Sequence, residues 1–496
     1  MARTPICRHT LTAPNSSENN MKNDALTALF ISFLFAFGLV ASSIACAADV
    51  AVTLPPGVIV PEAAQPGPAF DVDKATDAYL AVLTPEQRAR SDSYFEGGYW
   101  LLLWNWAAEV GAALLVLLTG WATRLRDRFA PEGKQGFWRL YAFAAAFLVL
   151  VWVITLPLTT YENFFREHQY GSSNQAFAGW FIEQLIGLAM FVFMASFFVA
   201  GIYQLMRRVG STWWAWTGAF TLVAILFIVM ITPVFINPAF NDYQALPEGR
   251  TRDAVLSLAR ASGVPAHDVA WYDQSKQTKR ISAHVSGLAG TTRIALNDNL
   301  LNNTSLPEIR AVMAHEMGHY VLNHSLRHTV YFTLVFLAGY FIVDRVLVRI
   351  LARRGDRLGI RERSDPASLP ILMALMVTYL FFAQPILNQV ILKGEEEADL
   401  FALTASREPH GFSTVAMRLG SYRKLEPGAV EKFLFYDHPS GRDRVEMSMR
   451  WLKENQDVVA REMAESAGIA LSNDVLPSAL QPSEGKRSDA STLSTR

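Results

Sequence analysis

His315, Glu316 and His319 belong to an H-E-x-x-H pentapeptide, and these three side chains are the minimal equipment for hydrolysing an amide. Residues four apart on a helix share a face, so His315 and His319 can offer two imidazole nitrogens to one Zn²⁺. Glu316 can reach a water activated by that metal and take its proton. Two surface histidines on an ordinary helix are the plainer reading of the same letters. The flanking residues favour the first. SLPEIRAVMAHEMGHYVLNHSL over 305–326 reads as one helix, with Ser305 and Glu308 in capping-box spacing and Pro307 in the first turn. Ile309, Val312, Met313, Met317, Tyr320 and Val321 recur at helical spacing, so one stripe can be buried while the histidines project. Gly318 lowers helix propensity and predicts close approach by another backbone or by substrate.

A catalytic zinc site needs three protein ligands and an open position. His324 is nearest, but the longer three-histidine pattern fails because Leu322 and Ser325 stand at its last two required positions. His324 and His328 therefore read as polar residues near a membrane boundary. The better source lies 76 residues past His319, in Gly394-Glu395-Glu396-Glu397-Ala398-Asp399. Glu395 and Asp399 share a helix face, so one can bind the metal while the other orients a ligand histidine. A solvated acidic cluster at the end of a span is the competing reading.

The elements that must position these groups are membrane helices. Of 496 residues 51% are hydrophobic and only 18% charged, and the apolar residues cluster near 98–122, 137–159, 178–205, 212–236, 327–350 and 368–392. Each run can cross a bilayer, given about 20 residues per span. At the N-terminus, MKNDALTALFISFLFAFGLVASSIACAAD from Met21 reads as a secretory signal removed after Ala47, or as an uncleaved seventh span. Cys7 and Cys46 are the only cysteines, so a processed chain has none, and disulfides and thiolate zinc sites are excluded.

A net charge of −1 gives no footing for nucleic acid. Its distribution says more. Loop 123–136 carries Arg124, Arg126, Arg128 and Lys134; the 206–211 connection carries Arg207 and Arg208; loop 351–367 carries Arg353, Arg354, Arg357, Arg361 and Arg363. Strict alternation puts all three on one side, as the positive-inside rule requires, and H-E-x-x-H on the other. In a bacterial inner membrane that other side is the periplasm.

The chain divides into an N-terminal extension (1–47), a Pro-rich segment with a short helix (48–97), four transmembrane helices (98–236), a catalytic segment (237–326), two further transmembrane helices (327–394), a C-terminal catalytic segment (395–470) and a polar tail (471–496). A helix is expected near 248–262, and strands at 268–273, 280–286 and 292–297, the last two forming a hairpin. Helical segments 395–406 and 441–465 follow. The fold class is an α-helical polytopic membrane protein of six or seven spans with a zincin-like metalloprotease domain carrying a small β-sheet.

E-x-x-A-D after a membrane-embedded H-E-x-x-H resembles the CAAX prenyl protease family of integral-membrane gluzincins, here in a bacterial form. Leu156-Pro157 with Tyr161, Phe164, Glu167 and Gly171 is similar to that family, as are Ile231-x-Pro233 to Ile236-x-Pro238 and Leu246-Pro247-Glu248-Gly249. So is His438-Pro439 with Arg444 six residues after the histidine. The resemblance spans roughly residues 75–460 and implies roles. His315, His319 and Glu395 would bind one zinc per chain, and Glu316 would be the general base. Asp399 would hold a ligand imidazole in its tautomer, and His438 and Arg444 would stabilise the oxyanion. Ser282-Ala283 stands where the family has Asn-Ala on the substrate-aligning edge strand, which leaves backbone pairing possible but puts substrate preference in question.

The function expected is a membrane-embedded zinc metalloendopeptidase acting on membrane-associated or lipidated, C-a-a-X-like polypeptides. A broad quality-control endopeptidase with no C-a-a-X role is the alternative. A metal transporter or scaffold fits worse, since it predicts paired His, Asp and Glu within several spans, where little beyond Glu109 is expected, and Glu316 would have no purpose. Peptide or membrane-protein substrates and the bilayer are the partners; oligomeric state is open.

Overall fold

The computed structural model describes residues 54, 55, 57–287 and 292–459. The signal or seventh-span segment, both cysteines, the hairpin turn at 288–291 and the C-terminal tail lie outside them. Among the described residues, six helices are long enough to cross a bilayer, and they coincide with the six apolar runs. They are introduced here with the shorter elements in chain order. A short helix α1 (Val72–Leu80) precedes α2 (Pro85–Leu118), the amphipathic α3 (Trp121–Phe129) and α4 (Phe137–Thr160). Helices α5 (Phe177–Val209) and α6 (Trp213–Ile231) follow. Among the described residues four stretches meet the length and hydropathy of a span, and one of them, Phe177–Ala239, holds both α5 and α6. The later helices are α7 (Arg250–Ala261), α8 (Asp298–Asn303), α9 (Leu306–Val321), α10 (His324–Leu358) and α11 (Leu369–Ser406). After them come α12 (Pro409–Leu419), α13 (Ala429–Phe435) and α14 (Gly441–Glu454).

The expected single helix over 305–326 is two. Helix α9 ends at Val321, Asn323 turns the chain with a φ of 56°, and α10 starts at His324. Asn is the non-glycine residue that best tolerates this left-handed geometry. The break lets the metal-binding helix leave the axis of the span that follows it. Helix α10 is the least apolar of the six because it carries Asp344 and a run of arginines. It still packs along α6 and α11. Gly339 makes room there, since a Cβ would come within 2.6 Å of the Tyr379 ring.

The strands fall close to expectation. β1 (Tyr243–Ala245), β2 (Val269–Tyr272), β3 (Ala283–Ser286) and β4 (Arg293–Asn297) form one sheet in the order β1-β2-β4-β3. β3 and β4 are antiparallel, and β2 and β4 parallel. β3 starts at Ala283 rather than Arg280, and it is an edge strand. Val269, Ile294, Leu296, Ile309, Met313 and Met317 are buried together, so the inner face of the sheet is clamped to α9.

At the other end of the bundle the three basic loops pack on one another. Arg126 Nη1 donates to Gly359 O and to Asp365 Oδ2, both at 2.8 Å. Arg207 donates to Gln135 O at 2.7 Å and to Ser364 O at 3.0 Å. These contacts put loops 123–136, 206–211 and 351–367 on one side.

Candidate active site

Helix α9 begins with its predicted cap: Ser305 N donates to Glu308 Oε2 at 2.7 Å. Glu308 is fully buried and also takes the guanidinium of Arg418 from α12, which pins the start of the metal helix to the C-terminal segment. Gly318 has its explanation in the neighbouring backbone. A Cβ there would lie 3.2 Å from Ala398 Cα and 3.2 Å from Phe401 Cβ, so the glycine lets α9 and α11 approach closely.

That approach brings the donors together. His315 Nε2 and His319 Nε2 are 3.0 Å apart, and each lies 3.3 Å from an oxygen of Glu395. Tetrahedral bonds of 2.0–2.1 Å give donor–donor edges of about 3.3 Å. Two imidazoles and a carboxylate at this spacing therefore fit one zinc-sized cation in both geometry and ligand chemistry. Glu395 reaches the site because α11 runs unbroken from the apolar stretch through Ser406, holding it one helical turn from Asp399.

The surroundings orient the donors. His315 Nδ1 lies 2.8 Å from Asp399 Oδ1, and Asp399 is fully buried. Arg444 binds both carboxylates, with Nε 2.9 Å from Asp399 Oδ2 and Nη2 3.2 Å from Glu395 Oε2. Burial alone would push His315 down, but its contacts with Asp399 and Glu395 outweigh that and raise it to about 10. Burial pushes the Glu316 carboxyl above its ordinary value, against the pull of His315 and His319. His438 Nε2 lies 3.4 Å from Glu395 Oε2, and its Nδ1 is held by Asp437 Oδ1 at 2.7 Å.

The cleft beside these groups has a volume of about 180 Å³. Ser282 and Ala283 wall one side, with His315, Glu316, Glu395 and His438 along it. Ser282 sits just before β3, where its N–H binds Asn297 Oδ1 at 3.0 Å and its carbonyl accepts from Asn297 N at 2.9 Å. The structure thus brings together the candidate metal ligands His315, His319 and Glu395 with Glu316, Asp399, His438, Arg444, Ser282 and Ala283.

Sequence reasoning missed several neighbours. His324, read as an ordinary polar residue, is buried with its Nδ1 2.8 Å from His319 Nδ1, and its Nε2 is 3.3 Å from Glu397 Oε2. It is a second-layer contact to a metal-site imidazole, made possible by the chain break at Asn323. Asp437 could have been found, because it adjoins His438. Arg280 had no local signal: it binds Glu167 at 2.8 Å and ties the loop after α4 to the edge strand.

A bundle of long apolar helices that carries an H-E-x-x-H helix, a facing carboxylate and a substrate-sized edge strand defines a membrane-embedded metallopeptidase. Comparison with known proteins agrees. Residues 73–242 match the CAAX prenyl protease N-terminal family of five membrane helices, and residues 245–451 match peptidase family M48. The uncharacterized metalloprotease YhfN of Bacillus subtilis is 27% identical over 67% of this chain and 78% of its own length. CAAX prenyl protease 1 of Saccharomyces cerevisiae is 30% identical over 35% of this chain, and that match spans 38% of the yeast protein. The crystal structure of S. mikatae Ste24p shares the fold, with a TM-score of 0.60 over 74% of this chain and 89% of that one, at 20% identity. The chain belongs to the M48 peptidase family and is an integral-membrane metallopeptidase.

Proposed function

We propose that this chain is a zinc-dependent endopeptidase that cleaves membrane-associated or lipidated polypeptides at a site on the periplasmic side of a bacterial inner membrane. The observation that carries the reading is the set of donor–donor distances among His315, His319 and Glu395, at 3.0, 3.3 and 3.3 Å. A zinc ion held by those three supplies Lewis acidity and lowers the pKa of water toward neutrality.

The chain's own residues do the rest. Glu316 takes a proton from the attacking water and passes it to the leaving amine, a task suited to a carboxyl that burial has raised. Asp399 faces Nδ1 of His315, which leaves Nε2 for the metal. Arg444 and His438 divide the work that the sequence reading gave them jointly. Arg444 is committed to the two carboxylates, so it sets their position. His438, anchored through Asp437, turns its Nε2 toward the cleft as the donor for the developing oxyanion. Substrate adds as an extended strand along the free edge of β3, where main-chain pairing does not depend on an Asn at position 282. The shared side of the three basic loops supports the proposed orientation.

The test is purified full-length protein with Glu316→Gln. Zinc content should equal that of the parent while cleavage of a membrane-protein substrate disappears. Undiminished cleavage by that variant would sink the reading. For orientation, reporters fused at the C-terminus and in loop 351–367 should report opposite sides, the C-terminus outside the cytoplasm.

A further inference from the structure

The cleft carries more positive charge than the proposed chemistry uses. Arg280, Arg423, Lys424 and Arg444 line it and the adjoining cavity of about 250 Å³, which shares Tyr422, Arg423 and His438 with the cleft. Three of the four cations are neutralised. Arg444 binds Asp399 and Glu395. Arg280 binds Glu167 at 2.8 Å, and Lys424 binds Glu96 at 2.6 Å and Glu431 at 3.0 Å. Arg423 differs. Among the described residues it makes no ion pair, and its Nη1 is buried without a hydrogen-bond partner.

The carboxylates near Arg423 are already engaged. Asp437 holds His438, and Glu395 faces the metal-site imidazoles and Arg444. A buried guanidinium nitrogen left unpaired is costly, and proteins rarely keep one without a use. Its planar fork matches a carboxylate in two parallel hydrogen bonds. The free donor also stands where the two cavities meet, beside His438, so a peptide drawn along β3 past Glu316 would bring its flanking residues to it.

The geometry points to Arg423 as a specificity-determining residue that captures a carboxylate of the bound peptide, either a chain-end α-carboxylate or an Asp or Glu side chain near the scissile bond. The inference rests on the endopeptidase reading and deepens it. Arg423 does not touch the reacting atoms. Its effect is on binding, and the carboxylate bound there fixes how far along the edge strand the peptide slides before cleavage.

The experiment uses zinc-loaded full-length protein in detergent micelles with matched peptides: a free-acid C-terminus, the same peptide amidated, and amidated peptides with one Glu walked through the positions around the cleavage site. The parent enzyme should prefer a carboxylate-bearing peptide over the plain amide by about 10- to 100-fold in kcat/KM, the usual worth of a charge-assisted hydrogen bond. Arg423→Gln should erase that preference through KM while cleaving the plain amide at the parent rate, and Arg423→Lys should recover part of it. Preference for the free acid alone assigns the chain end; recovery by one Glu position assigns the side chain. Equal cleavage of all peptides by the parent, or an equal loss on every peptide in Arg423→Gln, overturns the role of Arg423 and leaves the endopeptidase reading standing. No cleavage of any peptide by the parent overturns both.

Discussion

The two ends of the helix bundle both bury charge, but they close it differently. At the basic-loop end, Asp344 is fully buried and accepts from Trp213 Nε1 at 2.6 Å and Arg363 Nη1 at 3.1 Å. Asp365 accepts from Arg126 and from the N–H groups of Arg361 and Ala367. Each carboxylate there meets an arginine and at least one further donor from the chain itself, although Asp344 Oδ2 has no hydrogen-bond partner among the described residues. At the active-site end, two imidazole nitrogens face each other across 3.0 Å with a carboxylate on both. Lone pairs so placed need a proton or a metal between them. One end is a lock that the chain closes itself; the other is a socket that closes only around a cation.

Four substitutions break or sharpen that contrast. Glu316→Gln acts on chemistry alone and should lower kcat by about 10²- to 10⁴-fold with zinc content unchanged, read by turnover and metal analysis of one preparation. Asp344→Ala opens the closed lock. Leaving the buried Trp213 Nε1 without its acceptor and the half-buried Arg363 without its partner should cost about 3 kcal/mol of stability, measured by denaturation in detergent, without altering zinc affinity. A loss of zinc affinity in that variant would show that the two ends are coupled.

A third test concerns a buried imidazole on α12, the helix whose Phe412 and Val415 line the active-site cleft. His410 binds the Tyr79 hydroxyl at 2.7 Å, its Nε2 has no partner among the described residues, and burial lowers it to about 4. The folded state keeps His410 neutral while the unfolded chain protonates near pH 6.5, so the unfolded state binds more protons between these values. Stability should be full above pH 6.5 and fall as the pH drops toward 4, by about 3 kcal/mol in all. His410→Gln should flatten that part of the profile. An unchanged slope would place the titration elsewhere. The smallest effect is expected from Asp399→Asn, which keeps the shape beside His315 but weakens its hold. Zinc affinity should fall about 10- to 100-fold, read by competition with a chelator, with the fold intact.

Much of this was legible before any coordinates. H-E-x-x-H, its cap at Ser305 and the apolar runs depend on spacing within a single helix, where 3.6 residues per turn leave little freedom. Glu395 and Asp399 were visible as a pair on one face, one expected at the metal and the other on a ligand imidazole, though which imidazole Asp399 would meet was not. His324 was misjudged because its role depends on the turn at Asn323, and no periodicity announces a break inside a helical pattern. Arg423 had no signal at all. Its interest lies in partners that its neighbours take and it does not.

By itself the sequence settled the membrane class, the metal helix and the types of its ligands, because hydropathy and helical periodicity act over short stretches of chain. Only the tertiary structure decided which groups share the socket. Gly318 admits the backbone of α11, Arg444 returns from 45 residues beyond Asp399, and Asp437 turns His438 inward. Such contacts are chosen by packing between elements distant in the chain, and local spacing carries no record of them.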